Sequence, residues 1–238
     1  MDSIREARTG GKSGVGVLDK AVGILSFLAE DGPASLAGVV RGTGLARPTA
    51  YRLLSALEAH GLVAREEGRY FLGLRLLGWG GGAVGSALIW AATPVLEALR
   101  DGTGESTQLY VREGDRRVCV ASVERTGGGL RDAVPVGAVL PLGQGSGGRV
   151  LLAWSKGADG GPDARDLAET RARGWAESVA EREAGVASVS APVFGPDGGL
   201  RAAVCASGPV SRLGEHPGER LADLVAAAAR EIEEAGVR

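Results

Sequence analysis

Residues 17–73 read VLDKAVGILSFLAEDGPASLAGVVRGTGLARPTAYRLLSALEAHGLVAREEGRYFLG, and this stretch decides the fold of the first part of the chain. Apolar residues recur at three- and four-residue steps in three successive segments, which predicts three helices. An alternating stretch around Glu66-Glu67-Gly68 predicts a hairpin. Helix, short helix, helix and hairpin is the order of a winged helix-turn-helix, a shape that reads duplex DNA.

Each predicted helix has a local start or stop signal. The first ends at Asp31-Gly32-Pro33, and Ser35 can cap the second. Thr43-Gly44 supplies the turn. Pro48 is tolerated in the first turn of the third helix, which Gly61 ends. The predicted buried stripe of the first helix consists of Val17, Leu18, Ala21, Val22, Leu25 and Leu28, and that of the third of Leu53, Leu54 and Leu57.

The third helix, residues 47–60, exposes polar side chains once its apolar stripe is buried. Arginine and small hydroxyl residues suit phosphate oxygens and base edges. Arginines on the hairpin are more suited to phosphates than to bases. The sequence therefore predicts these DNA-binding side chains: Ser35, Arg47, Thr49, Tyr51, Arg52, Ser55, Arg65 and Arg69.

Composition predicts a soluble protein of two domains with no targeting segment. The chain has 238 residues, 44% of them hydrophobic, and a mean hydropathy of +0.05. No run approaches the roughly 20 apolar residues of a membrane span. Residues 1–15 lack an apolar signal core and are predicted to be a disordered arm. Cys119 and Cys205 fall in apolar strand-like runs, which favours reduced cysteines in a cytoplasmic protein. We expect neither a metal site nor a cofactor.

The charge is nearly balanced, so bulk electrostatic attraction is not what would hold this chain on DNA. The net charge is −2; residues 1–72 hold nine Lys/Arg and eight Asp/Glu, a net of +1, and the remainder holds 18 and 21, a net of −3. Such a protein depends on dimerisation and a specific site.

The second half alternates strands and helices, which predicts an α+β sheet domain. Residues 74–92 are interpreted as a linker helix despite their glycines, and Thr93 as the cap of a helix that begins at Pro94. A glycine-rich turn opens a helix at residues 145–154, and a closing helix spans residues 219–234. The other predictions are strands at 106–112, 117–124 and 130–134, a helix at 163–173, and a hairpin of 188–194 with 201–207.

Two regions resemble one known family in the right order. GVLDKAVGIL, GLARPTAYRLLSALEAHGLV and GRYFLGLRLL are similar to the winged helix of IclR-type transcriptional regulators. LPLGQGSGGRVLLAW and GVASVSAPVFGPDGGLRAAVCASGPVSRL resemble segments of that family's C-terminal half. A narrower likeness, to the NdgR-type actinobacterial regulators of leucine and other amino-acid biosynthesis, is carried by TGESTQLY, LRDAVPVG, EREAGVASVSAP and His216-Pro217-Gly218.

The resemblance implies a GAF-like effector-binding domain at residues 93–238, following the winged helix at 16–73, and homodimers or homotetramers on palindromic operators. Its effector positions carry over onto Ser146, Gly147, Ser178, Ser188, Ser190, Cys205 and Ser207. Ser178 replaces an acidic residue of some members, and Ser188 a cysteine. Amides at a helix N-terminus favour a carboxylate and hydroxyls can orient it, which predicts a small carboxylate or amino-acid effector.

Two other functions are open at this point. One is a ligand-sensing oligomer that acts through protein contacts. The other is a nicotinamide-dependent enzyme, because GxGxxG occurs at Gly80, Gly82 and Gly85 and again at Gly143, Gly145 and Gly148. With 40 glycines in the chain such matches arise by chance, and no nucleophile–base pairing is visible, so we expect a regulator and not an enzyme.

Overall fold

The computed structural model describes residues 13–83, 86–126, 134–155 and 163–236. The chain divides between residues 83 and 84 into two compact units. The predicted arm, apart from residues 13–15, and most of the predicted strand at 130–134 lie outside the described residues.

The N-terminal unit is a winged helix-turn-helix, as predicted. Its helices are α1 (Gly16–Asp31), α2 (Leu36–Thr43), α3 (Arg47–Ala59) and α4 (Arg75–Ala83). Its antiparallel sheet has the order β1-β3-β2, from strands β1 (Ala34–Ser35), β2 (Val63–Glu66) and β3 (Arg69–Leu72). The short strand β1 was not predicted, because two residues are too few to show alternation.

Local signals set the ends of these helices. The Ser35 hydroxyl accepts a hydrogen bond from the Gly38 N–H at 3.3 Å and so caps α2. Gly44 follows α2 with φ +69° and bonds back to the Val40 carbonyl, a conformation that costs glycine no strain. The buried core of this unit consists of Ile24, Leu28, Val39, Ala50, Leu54, Leu57, Val63 and Tyr70.

The predicted stripe of α1 is wrong in its first half. Val17, Leu18 and Val22 are 64%, 53% and 42% exposed, whereas Ile24 is fully buried. A 16-residue helix is about 24 Å long, longer than the small core it packs on. Only its second half therefore meets α2, α3 and β3.

The C-terminal unit is a six-stranded antiparallel sheet with helices on both faces, so the predicted α+β class is confirmed. The strand order is β6-β5-β4-β9-β8-β7. Its strands are β4 (Ser106–Glu113), β5 (Arg116–Val123), β6 (Val139–Pro141), β7 (Ala176–Val179), β8 (Val186–Phe194) and β9 (Leu200–Pro209). Its helices are α5 (Ser86–Thr103), α6 (Gly145–Ala153), α7 (Ala164–Arg173), α8 (Val210–Leu213) and α9 (Gly218–Gly236).

The two faces of the sheet differ. Helices α5 and α9 cover one face, where Leu96 and Ile232 pack on Leu109, Val189 and Val204 in a continuous apolar core. Helix α6 lies on the other face, with α7 packed beside it. We call these the apolar face and the α6 face. Since side chains alternate along a strand, each strand contributes to both.

Two predicted details of this unit need correction. Thr93 and Pro94 lie inside α5, and the Thr93 hydroxyl donates to the Ile89 carbonyl instead of capping a new helix. The predicted linker segment holds α4 and the first residues of α5, and residues 84–85 between them lie outside the described residues. Val134, the described residue of the predicted third strand, is buried but not in a strand. The sequence favoured a helix start at Pro94 because proline is common in the first turn of a helix.

Candidate functional site

Helix α3 presents one buried and one exposed face. Ala50 and Leu54 are fully buried, whereas Arg47, Tyr51, Arg52 and Ser55 are exposed and Thr49 is half-buried. The predicted DNA-reading side chains of this helix therefore lie on its solvent side. The helix begins at Arg47 as predicted, with Pro48 in its first turn.

The remaining predicted DNA contacts already take part in the wing and its surroundings. The Arg65 guanidinium lies 5.2 Å from the centroid of the Tyr70 ring. Arg69 pairs with Ser35 in the β1–β3 ladder and donates to the Pro33 carbonyl. Arg65, Arg69 and Ser35 are all exposed, so a phosphate can reach them. Their role on DNA stays a prediction.

The second site lies on the α6 face, where four serines converge. Ser146, in the first turn of α6, shares hydrogen bonds with Ser188 Oγ at 2.7 Å and with Ser190 Oγ at 2.8 Å. Ser178 Oγ lies 3.1 Å from Ser188 Oγ. The three strand serines come from β7 and β8, more than 30 residues from Ser146 along the chain.

Strand pairing places the remaining predicted residues beside them. Ser188 is opposite Ser178 on one side and Ser207 on the other, and Ser190 is opposite Cys205. Gly147 is buried against the Tyr110 ring at the start of α6. The structure thus brings all seven predicted effector residues onto one face of the sheet.

Pattern reading missed the larger polar side chains of this site. A small cavity is lined by Tyr110, Arg117, Gly145, Ser146, Gly147, Ser178, Arg182, Val186, Ser188 and Ser207. Arg117 is only 3% exposed, and Gln108, next to Ser207, is fully buried. An arginine near the start of a strand looks like a surface residue in sequence, and only the packing of α6 above it shows otherwise.

Burial keeps the Tyr110 phenol and the Cys119 thiol in their neutral, protonated forms. It raises the pKa of the Tyr110 phenol well above its ordinary value and that of the Cys119 thiol to about 12. It also lowers the pKa of Arg117, but an arginine starts so high that its guanidinium stays charged at neutral pH. The charged residues that line the described cavity are Arg117, which is buried, and Arg182, which is paired with the Glu183 carboxylate at 3.6 Å.

The first amide of α6 is already occupied. Gly145 N–H donates to Glu181 Oε2 at 3.0 Å, and Glu181 Oε1 accepts from Arg149 at 2.7 Å. The chain therefore supplies its own carboxylate at this helix end, where an anion is favourable. Sequence analysis expected that position for a ligand.

Two further classes of site were sought in the described parts of the chain. The described parts of the chain contain no group of three or more His, Cys, Asp or Glu side chains placed to hold a metal ion. No helix in the described ranges combines the length and the apolar character that a membrane span requires.

Comparison with known families decides the class of protein. Residues 17–67 match the IclR helix-turn-helix domain, and residues 83–160 and 164–234 match the bacterial transcriptional regulator IclR C-terminal domain. The chain belongs to the IclR family. As an IclR-type protein it is a DNA-binding transcriptional regulator and not an enzyme, so the nicotinamide alternative is wrong.

Similar proteins extend over almost the whole chain. The glycerol operon regulatory protein of Streptomyces griseus is 31% identical over 82% of this chain and 85% of its own length. The HTH-type transcriptional regulator BhcR of Paracoccus denitrificans is 28% identical, with 92% of this chain and 86% of that protein covered.

Solved structures of similar proteins share the fold of this chain. A Rhodococcus sp. RHA1 regulator has a TM-score of 0.76 at 27% identity, with 94% of this chain and 98% of that chain covered. An IclR homologue from Microbacterium hydrocarbonoxydans, crystallised in complex with 4-hydroxybenzoate, has a TM-score of 0.78 at 22% identity, with 93% and 99% covered. At that identity the second likeness supports the fold alone.

Proposed function

We propose that this IclR-type regulator binds a palindromic operator as a homodimer or homotetramer and responds to a small carboxylate or amino-acid effector. The observation that carries the proposal is the serine-lined cavity with the buried Arg117 between α6 and the sheet, in the domain that follows the winged helix. As a DNA-binding regulator it is expected to act in the cytoplasm.

The DNA-binding part of the proposal rests on the exposed side of α3. In a helix-turn-helix the second helix of the motif enters the major groove, and two copies read two half-sites. Arg47, Tyr51, Arg52 and Ser55 are positioned on α3 to do so. Arg65 and Arg69 on the wing are suited to the flanking phosphates.

Apolar surface supports assembly into dimers. Leu77 and Trp79 of α4 are 74% and 55% exposed, and Trp90 of α5 is 79% exposed. Burying such side chains against a second copy would remove apolar area from water. Static light scattering at micromolar protein should give a mass of two or more chains, and a monomer that still binds its operator tightly would contradict the assembly.

The effector part rests on the chemistry of the cavity. Hydroxyls can replace the hydrogen bonds that a carboxylate loses when it leaves water, and the buried guanidinium of Arg117 can balance its charge. The structural neighbour that holds 4-hydroxybenzoate shows that one protein of this fold accommodates a carboxylate. We extend that property to this chain as a proposal.

The most specific part of the proposal is the metabolic pathway whose genes the protein regulates. The likeness to NdgR-type regulators favours genes of amino-acid, and especially leucine, metabolism. Relatives with other assignments, such as the glycerol operon regulatory protein, show that the family serves many pathways. Footprinting on DNA upstream of this gene and of leucine-biosynthesis genes tests the assignment, and protection of neither region would contradict it.

Arg52→Ala is the direct test of the DNA-reading helix. Arg52 is exposed beside buried Leu54, so its loss should leave the fold intact and cost about 1–3 kcal/mol of binding per half-site. Fluorescence anisotropy on the footprinted operator measures the change. Arg165→Ala is the matched control, because Arg165 is 89% exposed on α7 in the other unit.

Equal operator affinity of wild type and Arg52→Ala, with matching melting curves, would remove Arg52 from the interface. Absence of operator binding by the wild type would favour the protein-contact alternative.

A further inference from the structure

A second cavity opens at the edge of the six-stranded sheet, where β8 runs past β7. Strand β7 pairs with residues 187–190 of β8, and among the described strands residues 191–194 have a neighbour on the β9 side only. The gap has a volume of about 210 Å³. We call it the edge cavity, and its apolar lining consists of Trp154, Ala191, Pro192, Phe194, Ala226 and Ala229.

The edge cavity is separate from the serine-lined cavity. The two have no lining residue in common. Ser146 lies in the first turn of α6, whereas Trp154 follows the last residue of that helix. The stretch of helix between them is about 12 Å long, so a small ligand bound at one end of α6 leaves the other end free.

The walls of the edge cavity suit an apolar side chain. The rings of Trp154 and Phe194 meet edge to face, with their centroids 5.6 Å apart. Gly174, which follows α7 and also lines the cavity, has open space where a Cβ would stand. Since an apolar cavity of about 150 Å³ admits benzene, this one has room for a side chain the size of leucine or phenylalanine.

The exposed edge of β8 is poorly suited to an added strand. The Phe194 N–H already donates to Glu233 Oε1 at 2.7 Å. Pro192 has no N–H to offer. At these two positions a new strand would find no free donor, which favours a small molecule as the occupant of the gap.

The charged side chains of the edge cavity are one cation and one anion, Arg230 and Glu233 of α9. Residues three positions apart lie on the same side of a helix, yet no ion pair joins these two. Arg230 is exposed and forms no hydrogen bond with the described chain, and Glu233 uses Oε1 alone. The guanidinium and Glu233 Oε2 are therefore available to a ligand.

Arginines of the neighbouring segments are already engaged. Arg171, at the end of α7, donates to the Ala153 carbonyl. Arg201, in the β8–β9 hairpin, pairs with Asp197. The charges offered by the lining of the edge cavity are thus balanced, and the ligand that matches them carries one positive and one negative group.

We propose that the edge cavity binds an apolar amino acid. Arg230 binds its carboxylate, Glu233 Oε2 binds its ammonium group, and its side chain lies against Trp154 and Phe194. The inference goes beyond the proposed function, because it gives the domain a second ligand site at the opposite end of α6 from the serines.

The first experiment uses the wild-type, full-length chain and ligands that differ by one charged group. Isothermal titration calorimetry compares L-phenylalanine with 3-phenylpropanoate and 2-phenylethylamine, and L-leucine with 4-methylpentanoate and 3-methylbutylamine. At least one amino acid should bind about fivefold or more tightly than both of its analogues, as expected for one ion pair at an open site. An analogue that binds as tightly as its amino acid overturns the inference.

The second experiment removes each charge from the protein. Arg230→Gln should weaken the amino acid and its acid analogue by about fivefold and leave the amine unchanged. Glu233→Gln keeps an acceptor for the Phe194 N–H and should weaken the amino acid and the amine, but not the acid. Arg165→Gln is the matched control, because Arg165 is 89% exposed on α7 and lies outside the cavity lining, and it should change affinity less than about twofold.

Circular dichroism checks that each variant folds, and the exposed position of Arg230 keeps the test decisive if Glu233→Gln unfolds. An amino acid that binds wild type and both variants equally lies elsewhere, so the inference falls and the proposed function stands. If neither amino acid binds wild type at millimolar concentration, the inference falls as well, whereas a carboxylate that changes operator affinity would still support the proposed function.

Discussion

The two faces of the six-stranded sheet come from the same strands but differ in chemistry. Along β9, Ala202, Val204 and Ala206 point into the apolar core under α5 and α9, whereas Cys205 and Ser207 point to the α6 face. The first face is filled by Leu96, Leu109 and Ile232. The second carries a smaller apolar cluster, which includes Val150 and Leu151, together with hydroxyls, a buried amide and a buried guanidinium.

From this difference we infer that the apolar face mainly stabilises the domain and that the α6 face serves recognition. Apolar side chains removed from water stabilise the sheet without direction. Buried polar groups contribute less, because each exchanges one hydrogen bond to water for another, but they fix a precise geometry. This domain therefore keeps its larger apolar core on one face, and we propose that the polar groups of the other face specify a ligand. Four substitutions or pH changes test that division, in order of decreasing change in stability.

Leu109→Ala should produce the largest loss, because Leu109 is fully buried in the middle of the apolar face. Deleting its branched side chain should lower the free energy of unfolding by about 2–5 kcal/mol. Urea unfolding at fixed protein concentration measures it. Leu224→Ala is the control, since Leu224 is 44% exposed on α9. Equal effects of the two substitutions would show that the apolar face is not the stabilising core.

Gly148→Ala should disturb the α6 face through its backbone. A Cβ at Gly148 would overlap the Leu142 carbonyl oxygen and crowd Arg117 Nη1, so α6 must move off the sheet. We expect a loss of about 1–3 kcal/mol in unfolding free energy. Gly143→Ala, in the turn that precedes α6, has open space at its Cβ and serves as control. A Gly148→Ala protein as stable as Gly143→Ala would contradict the close approach of α6.

The Cys119 thiol should make stability fall at high pH. An unfolded cysteine loses its proton near pH 8.5, whereas burial raises the pKa of folded Cys119 to about 12. Between these values the folded chain holds a proton that the unfolded chain has lost. Stability therefore decreases as pH rises through this window, by about 1 kcal/mol per pH unit from this group.

Cys119→Ala isolates that contribution, because buried Tyr110 changes stability in the same direction above pH 10. Urea unfolding of wild type and variant at pH 8, 9 and 10 gives the two slopes. The slope of the variant should be shallower than that of wild type. Parallel slopes would place the Cys119 thiol in contact with water.

Ser190→Ala should have the smallest effect. It removes one hydroxyl partner of Ser146, which keeps its hydrogen bond to Ser188. The loss should be about 1 kcal/mol or less in unfolding free energy. Chemical denaturation against wild type measures it, and a loss as large as that of Leu109→Ala would show that the hydroxyl cluster, and not the apolar face, stabilises the domain.

The N-terminal unit was predicted more completely than the sheet domain. Its helices depend on contacts three or four residues apart, and its wing is a hairpin of two four-residue strands. The cap of α2 is a hydrogen bond between Ser35 and the residue three positions further on. The exposed side of α3 followed from the position of Leu54 and Leu57. The error in α1 arose because periodicity shows that a stripe exists but not how far along the helix a small core reaches.

Local sequence patterns were enough to predict the winged helix, the α+β class of the second domain, the hairpin of β8 and β9, and the serines on their shared face. These depend on periodicity and on alternation, which are local. Only the tertiary structure decided that Glu181 occupies the start of α6 and that Arg117, from β5, is buried beneath it. Both depend on strand pairing and helix packing between distant segments, because burial, unlike periodicity, is a property of the assembled fold.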